Sequence, residues 1–359
     1  MHRRRHLATV AVIVLAGSLL AACTGSGSTS HRSTSGTAAP PGGSVPVAER
    51  CTPARPAPGA IVAGQTQTLP HGGLERRYAV HLPPTYDGST AAPLILNLHG
   101  FGSTIERQDA ITDLPSRAGA RGYVVVTPQG APLSVPVDSP EAEQAAGFEG
   151  FSFWNFFGSS GIDFGAAGPP PGFEGVASSA LGADDVGFLA ALIDHLAAEL
   201  CVDPRRIYAT GMSNGAGMAT TLGCEIGGRL AAVAAVSGVN LTGACPGHDA
   251  VAVLAFHGDA DDVVAYTGGT LMGVQLGNPS VPARMAAWAA RNGCDPGPGV
   301  EDRAGGQVTV MRWSGCDRPV QLWTLHGWGH RWPLGSSAEH AAPVDATEQV
   351  LDFFDGSGS

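Results

Sequence analysis

Lysine is missing altogether: all 20 Lys+Arg positions of this 359-residue chain are arginine. That excludes chemistry built on a lysine amine, whether a pyridoxal or aldolase Schiff base or the phosphate clamp of a P-loop NTPase. Charged residues of either sign are few, 14% of the chain, and the formal net charge is -11. A chain of that sign is expected to take neither nucleic acid nor an anionic lipid surface as its main partner. No Cys-x-x-Cys and no His-Glu-x-x-His occurs. A zinc ribbon, a thioredoxin-type site and a zincin site are therefore not expected, and neither is any metal or organic cofactor. The N-terminal apolar run, Leu7 to Leu20, falls short of the roughly 20 residues that span a bilayer.

What is present is enough apolar sequence, 43%, to bury a sizeable core, with 51 Gly and 27 Pro making the chain loop-rich. The length fits one large α/β domain plus extras. Arg3, Arg4 and Arg5 precede the Leu7 to Leu20 run, which ends in Leu20-Ala21-Ala22-Cys23. This arrangement resembles a bacterial lipobox, whose cysteine receives lipid and becomes the first residue; an ordinary secretory cleavage site is the plainer alternative. The expected organisation is a signal peptide over 1–22, then a lipidated Cys23 with a flexible Ser/Thr/Gly/Pro tether over 23–50. A single catalytic domain follows over 51–359, held at the outer face of the bacterial cell membrane or otherwise extracellular. The membrane is then a partner only through the lipid.

Six cysteines remain after Cys23, and an even number in an exported chain points to disulfides. The preferred pairing is Cys224–Cys245 and Cys294–Cys316, which close short loops, with Cys51–Cys201 left by elimination. Alternation predicts a strand over 77–82, and apolar runs predict buried strands over 94–98, 123–127 and 251–256. Short strands are also expected over 206–210, 307–313 and 320–325. Helical spacing is read over 186–200, capped by Asp184 or Asp185, and over 281–292, with a closing helix over 343–354. Strands alternating with helices imply a mostly parallel sheet covered on both faces. The Gly-, Pro- and Phe-rich stretch 131–180 breaks the pattern and reads as an insertion over one end of the sheet.

Gly211-Met212-Ser213-Asn214-Gly215 is a Gly-x-Ser-x-Gly motif lying between a strand-like and a helix-like segment. A nucleophile elbow needs that context, because the serine sits on a strained turn at the start of a helix whose N–H groups face developing negative charge. A serine nucleophile also needs a base and a group to orient it. Asp259, Asp261 and Asp262 compete as the acid after the strand at 251–256, and His326 and His330 compete as the base after the strand at 320–325. An oxyanion hole needs two backbone donors: Asn214 N–H, and one from the loop His99-Gly100-Phe101-Gly102. His99 and His257 each end a buried strand and are read as loop anchors. Trp328 and Trp332 either line the cleft or pack.

Several motifs in chain order carry a resemblance: Leu98-His99-Gly100, Asp203-Pro204-Arg205-Arg206-Ile207-Tyr208, the Ser213 elbow with Gly217, His257-Gly258 with Ala260-Asp261, and Gly329-His330 with Trp332-Pro333. Over residues 70 to 355 the chain resembles the polyhydroxybutyrate depolymerase and feruloyl or acetylxylan esterase group of α/β-hydrolases, related to carbohydrate esterase family one. The resemblance implies an α/β-hydrolase fold with Ser213, Asp261 and His330 as catalytic triad and the Phe101 and Asn214 N–H groups as oxyanion hole. It selects Asp261 and His330 where spacing leaves them open. Asp259, Asp262 and Ala265 stand where the family often has Thr, Pro and Pro, and Phe101 replaces a small residue. The implied activity is an exported, monomeric serine esterase acting on short-chain hydroxyalkanoate, acetyl or feruloyl esters, small or polysaccharide-linked, through an acyl-enzyme. Acyl transfer on the same fold and a non-catalytic binding lipoprotein are the alternatives. No further domain follows before Ser359, so small esters are expected over an insoluble polymer.

Overall fold

The structure, a computed structural model, describes residues 50–51, 63–132, 152–156, 183–239, 245, 247, 249–271, 274–275, 278–335 and 341–358. The expected signal peptide, Cys23, the tether and most of the 131–180 stretch lie outside the described residues.

The chain opens with a hairpin of β1 (Thr66–His71) and β2 (Leu74–His81), turned by Gly72 and Gly73 at φ 58° and 79°. Both turn residues need the left-handed backbone that glycine adopts at no steric cost. Then follow β3 (Ala92–Leu98), α1 (Ile105–Thr112), α2 (Leu114–Ala120) and β4 (Val124–Pro128). A short hairpin, β5 (Ala131–Pro132) with β6 (Ser152–Phe153), precedes α3 (Asp185–Glu199). The elbow lies between β7 (Val202–Met212) and α4 (Asn214–Glu225), and β8 (Ala232–Val236) and β9 (Ala252–Gly258) come next. The last part holds a small hairpin, β10 (Thr270–Leu271) with β11 (Val274–Gln275), then α5 (Val281–Arg291), β12 (Gly299–Arg303), β13 (Val308–Arg312), β14 (Val320–Leu325) and α6 (Ala346–Ser357).

One ten-stranded sheet runs in the order β1-β2-β4-β3-β7-β8-β9-β14-β13-β12. From β4 to β14 neighbouring strands are parallel, and antiparallel strands flank this centre on both sides. Side chains alternate across the central strands, as a period of two requires. Leu94, Leu96 and Leu98 of β3 pack with α3, α4 and α5 on one face, while Ile95 packs with α2 and α6 on the other. Both faces are buried, which is why these strands read as unbroken apolar runs.

Three differences from the sequence reading have local causes. The closing helix starts at Ala346, after Pro343, because the Asp345 side chain caps it by accepting from the Glu348 N–H. The strand before the elbow runs over Val202–Met212, longer than 206–210, since Val202 pairs with Ala92 across a register shift. β1 and β12 give little periodic signal: alternate β1 residues stay partly exposed and β12 is exposed throughout. Disulfides join Cys51 to Cys201, Cys224 to Cys245 and Cys294 to Cys316, the three pairs expected. In the chain-entropy picture each contributes roughly 3–5 kcal/mol, rising with the loop enclosed.

The loop after β3 is fixed by His99, which is fully buried. Its Nδ1–H donates to Gly100 O at 2.7 Å, and its Nε2 accepts from Gly130 N–H at 2.9 Å. Those partners demand the neutral ring. Burial pushes the imidazole from 6.5 down to about 4, with the Arg76 charge adding to the fall and the Gly100 carbonyl opposing it. Between those two pH values the unfolded chain takes up a proton that the folded chain refuses. The contribution of neutral His99 is therefore complete above pH 6.5 and is lost as the pH falls toward 4. The loss approaches about 1.4 kcal/mol per pH unit. Urea unfolding measured across this window in wild type and in His99→Gln isolates that contribution. The slope should be shallower by up to one proton in His99→Gln, and equal slopes would contradict the assignment.

Candidate active site

Ser213 follows β7 directly and is the N-cap residue of α4, with φ 56° and ψ -118°. A non-glycine residue at that φ is strained and persists only where its surroundings leave no alternative. Here the surroundings are glycines. A Cβ at Gly211 would lie 2.5 Å from Leu98 O, and one at Gly215 only 2.2 Å from the same oxygen. One at Gly238 would lie 2.1 Å from Ser213 O. The backbone after β3 and that after β8 thus close on the elbow from both sides. Ser213 N–H donates to Val236 O at 2.8 Å, and Ser213 O accepts from Gly217 N–H at 3.0 Å.

Asp261 follows β9, and His330 follows β14, its parallel neighbour. Ser213 follows β7, separated from β9 by β8. All three lie beyond the carboxyl ends of parallel strands, where open α/β sheets hold their ligands. His330 Nδ1 lies 2.8 Å from Asp261 Oδ2. Asp261 is buried, and His330 has 15% of its side chain exposed. Burial opposes the charge on Asp261. Hydrogen bonds from His257 and His330, with the Val264 N–H, overcome it and hold the carboxyl well below the usual carboxylate range. Asp261 Oδ1 also accepts from Val263 and Val264 N–H at 3.0 and 2.8 Å. A carboxylate so held keeps the proton of a neutral His330 on Nδ1 and leaves Nε2 as the basic lone pair.

The competing residues form a separate pair. His326 Nδ1 lies 2.8 Å from Asp259 Oδ2, and His326 Nε2 lies 2.8 Å from Thr309 Oγ1 on β13. Both ring nitrogens are occupied, so this histidine presents no lone pair to Ser213. Asp259 Oδ1 accepts from Gly327 N–H at 2.7 Å, which ties the two loops together at their roots. Asp262 is exposed and joins neither pair. His257 is buried and Nε2 lies 2.8 Å from Val264 O and 3.3 Å from Asp261 Oδ2, so it bolts the acid loop. Trp332 packs in the core with its Nε1–H donating to Thr347, whereas the Trp328 ring is partly exposed, under the Arg331 guanidinium at 4.4 Å.

Of the two expected oxyanion residues, Asn214 follows Ser213 in the chain, and Phe101 follows Gly100, which lies against Ser213. Asn214 is the first residue of α4, and the N–H groups of a helix's first turn have no partner within the helix. Gly100, next to Phe101, is close enough that a Cβ there would sit 3.6 Å from the Ser213 Cβ. Sequence reasoning missed two supports. Asp184 caps α3, but Asp185 instead forms a fully buried ion pair with Arg76. Burial raises the Asp185 carboxyl, and the Arg76 guanidinium and the Asn155 N–H offset part of that. The Asn214 carboxamide also holds Trp154, a long-range contact with no periodic signature.

No family model matches the chain. Among curated proteins it is similar to "Feruloyl esterase D" of Neurospora crassa, 29% identical over 269 residues, covering 74% of this chain and 78% of that one. It is also similar to "Feruloyl esterase B" of Piromyces equi, 28% identical over 71% of this chain but only 42% of the relative. "Probable feruloyl esterase C" of Aspergillus terreus is 27% identical over 82% and 90% of the two chains. Among solved structures, an acetyl xylan esterase from Aspergillus awamori aligns with TM-score 0.51 and 12% identity over 81% of this chain and 99% of its own. An S-formylglutathione hydrolase from Agrobacterium tumefaciens aligns with TM-score 0.51 and 12% identity over 82% and 94%. These structural likenesses speak for the fold alone. The chain has the α/β-hydrolase fold, and with relatives of this kind it is a carboxylic ester hydrolase.

Proposed function

We propose that the chain is an exported serine esterase in which Ser213 is the nucleophile, His330 the general base and Asp261 the group that orients it. The Asp261–His330 hydrogen bond of 2.8 Å, together with an elbow serine held at φ 56°, is the observation that carries this reading. Ser213 Oγ attacks the ester carbonyl carbon as its proton passes to His330 Nε2. The oxyanion collects the Asn214 and Phe101 N–H groups. His330 returns the proton to the departing alkoxide, leaving an acyl-enzyme. Water then attacks with His330 again as base, freeing the acid and Ser213. Among hydroxyalkanoate, acetyl and feruloyl esters, similarity to feruloyl esterases supports the feruloyl type.

Ser213→Ala should lower turnover of p-nitrophenyl acetate and methyl ferulate by about 10⁴-fold or more, with the fold intact by circular dichroism. Asp261→Asn should be nearly as damaging, because it favours the wrong His330 tautomer. Asp259→Asn should leave turnover within a few-fold of wild type. A variant series in which Asp259→Asn is the crippling change would transfer the acid role to the other pair.

The address also belongs to this proposal. Three disulfides fit an oxidising, extracellular compartment. Arg3 to Arg5, the Leu7 to Leu20 run and Leu20-Ala21-Ala22-Cys23 support lipid attachment at Cys23. Several acyl chains on one cysteine anchor stably where one chain does not. Cys23→Ala should release active enzyme into the medium or leave an uncleaved precursor. An unmodified Cys23 in soluble wild-type protein, read by mass spectrometry, would rule out the anchor.

A further inference from the structure

The short segment Ser152 to Phe156 touches both halves of the oxyanion hole named above. Ser152 O accepts from Gly102 N–H at 2.9 Å, and Ser152 Oγ donates to Ser103 O at 3.0 Å. The Trp154 indole Nε1–H donates to His99 O at 3.0 Å. These contacts hold the loop that carries Phe101. On the other side, the Trp154 main chain forms a closed two-bond pair with the Asn214 carboxamide. Trp154 N–H donates to Oδ1 at 2.8 Å, and Nδ2–H donates to Trp154 O at 2.9 Å. Trp154 and Asn214 are both buried, with Trp154 wholly so.

The segment is anchored from below. Asn155 N–H donates to Asp185 Oδ2 at 2.7 Å, and the other Asp185 oxygen pairs with Arg76. The Arg76 guanidinium sits 4.0 Å over the Phe188 ring and 6.0 Å from the Trp154 ring. It also donates to Gln129 O, while Gln129 Nε2–H donates to Ser103 O at 2.9 Å. A charge pair taken wholly out of water is costly unless every partner is in place, so it admits one arrangement of the chain around it.

We propose that Trp154 is a positioning residue. By bridging His99 O and the Asn214 carboxamide, it sets the distance between the Phe101 and Asn214 N–H groups that receive the oxyanion, with Arg76–Asp185 as its fixed base. The inference rests on the serine-esterase reading above. Trp154 does not touch the substrate. Its effect falls on the tetrahedral intermediate, where a donor misplaced by a fraction of an ångström loses most of its value.

Two variants test this without removing either backbone donor. Trp154→Phe removes the indole N–H together with part of the ring, whereas Asn214→Ala deletes the carboxamide, leaves the Asn214-position N–H in place and does not alter the Trp154 ring. Each should lower kcat for p-nitrophenyl acetate about tenfold or more, with KM within twofold of wild type. Affinity for a trifluoromethyl ketone, which forms a tetrahedral adduct with an elbow serine, should fall in parallel. Wild-type kcat in both variants would overturn the proposal. So would a kcat loss that only tracks the fraction of folded protein, since Trp154 would then be a stability element. Failure of the underlying reading looks different: wild-type turnover would not depend on Ser213 at all.

Discussion

The structure depends on a crowding of backbone around one residue. Ser213 cannot relax from its left-handed conformation because the chain after β3 and the chain after β8 both press on the turn that holds it. Glycine at 211, 215 and 238 is what allows the approach, since a Cβ at any of the three would overlap a carbonyl oxygen. The strain is offset by a parallel sheet buried on both faces, whose central strands are apolar on both sides. The same geometry presents the serine at the start of α4, where the helix amides favour developing negative charge. Fold and chemistry therefore meet at a single turn.

Charge is arranged around that turn by keeping two similar pairs apart. Asp261 lies under the protein surface, held by four hydrogen-bond donors, and passes its influence to His330. Asp259 lies nearer solvent with a histidine that is saturated by Thr309. A chain with aspartate at both 259 and 261 could have placed either against His330. The second pair instead fastens the acid loop to the histidine loop through Gly327, which fixes the register in which Asp261 meets His330. In the proposed mechanism the Asp261–His330 pair reacts and the Asp259–His326 pair holds, because His326 has both ring nitrogens engaged.

Much of this was legible from residues alone. The buried strands announce themselves as apolar runs, and the elbow by its glycines between a strand and a helix. The three disulfide pairs match the preferred set, which short loops and elimination favoured but did not fix. Resemblance, not spacing, chose Asp261 over Asp259, because both lie in one loop and only hydrogen bonding separates them. The supports around the site were not legible. Asp185 looks like a helix cap, and its pairing with Arg76 spans a separation of 109 residues. Asn214 reads as a helix start, and nothing in its neighbours shows that its carboxamide holds Trp154, 60 residues away. Long-range polar contacts between single residues leave no period and no spacing to read.

The claim on which the account stands is that one serine is activated by this geometry. A fluorophosphonate probe reads it directly, since it phosphonylates a serine only where a base and an oxyanion hole act together. Mass spectrometry of the labelled, disulfide-intact protein should place a single modification on the peptide containing Ser213. The label should be abolished by Ser213→Ala, and slowed strongly by Asp261→Asn. A protein that resists the probe while folded, or that carries the label on another serine, would contradict the account.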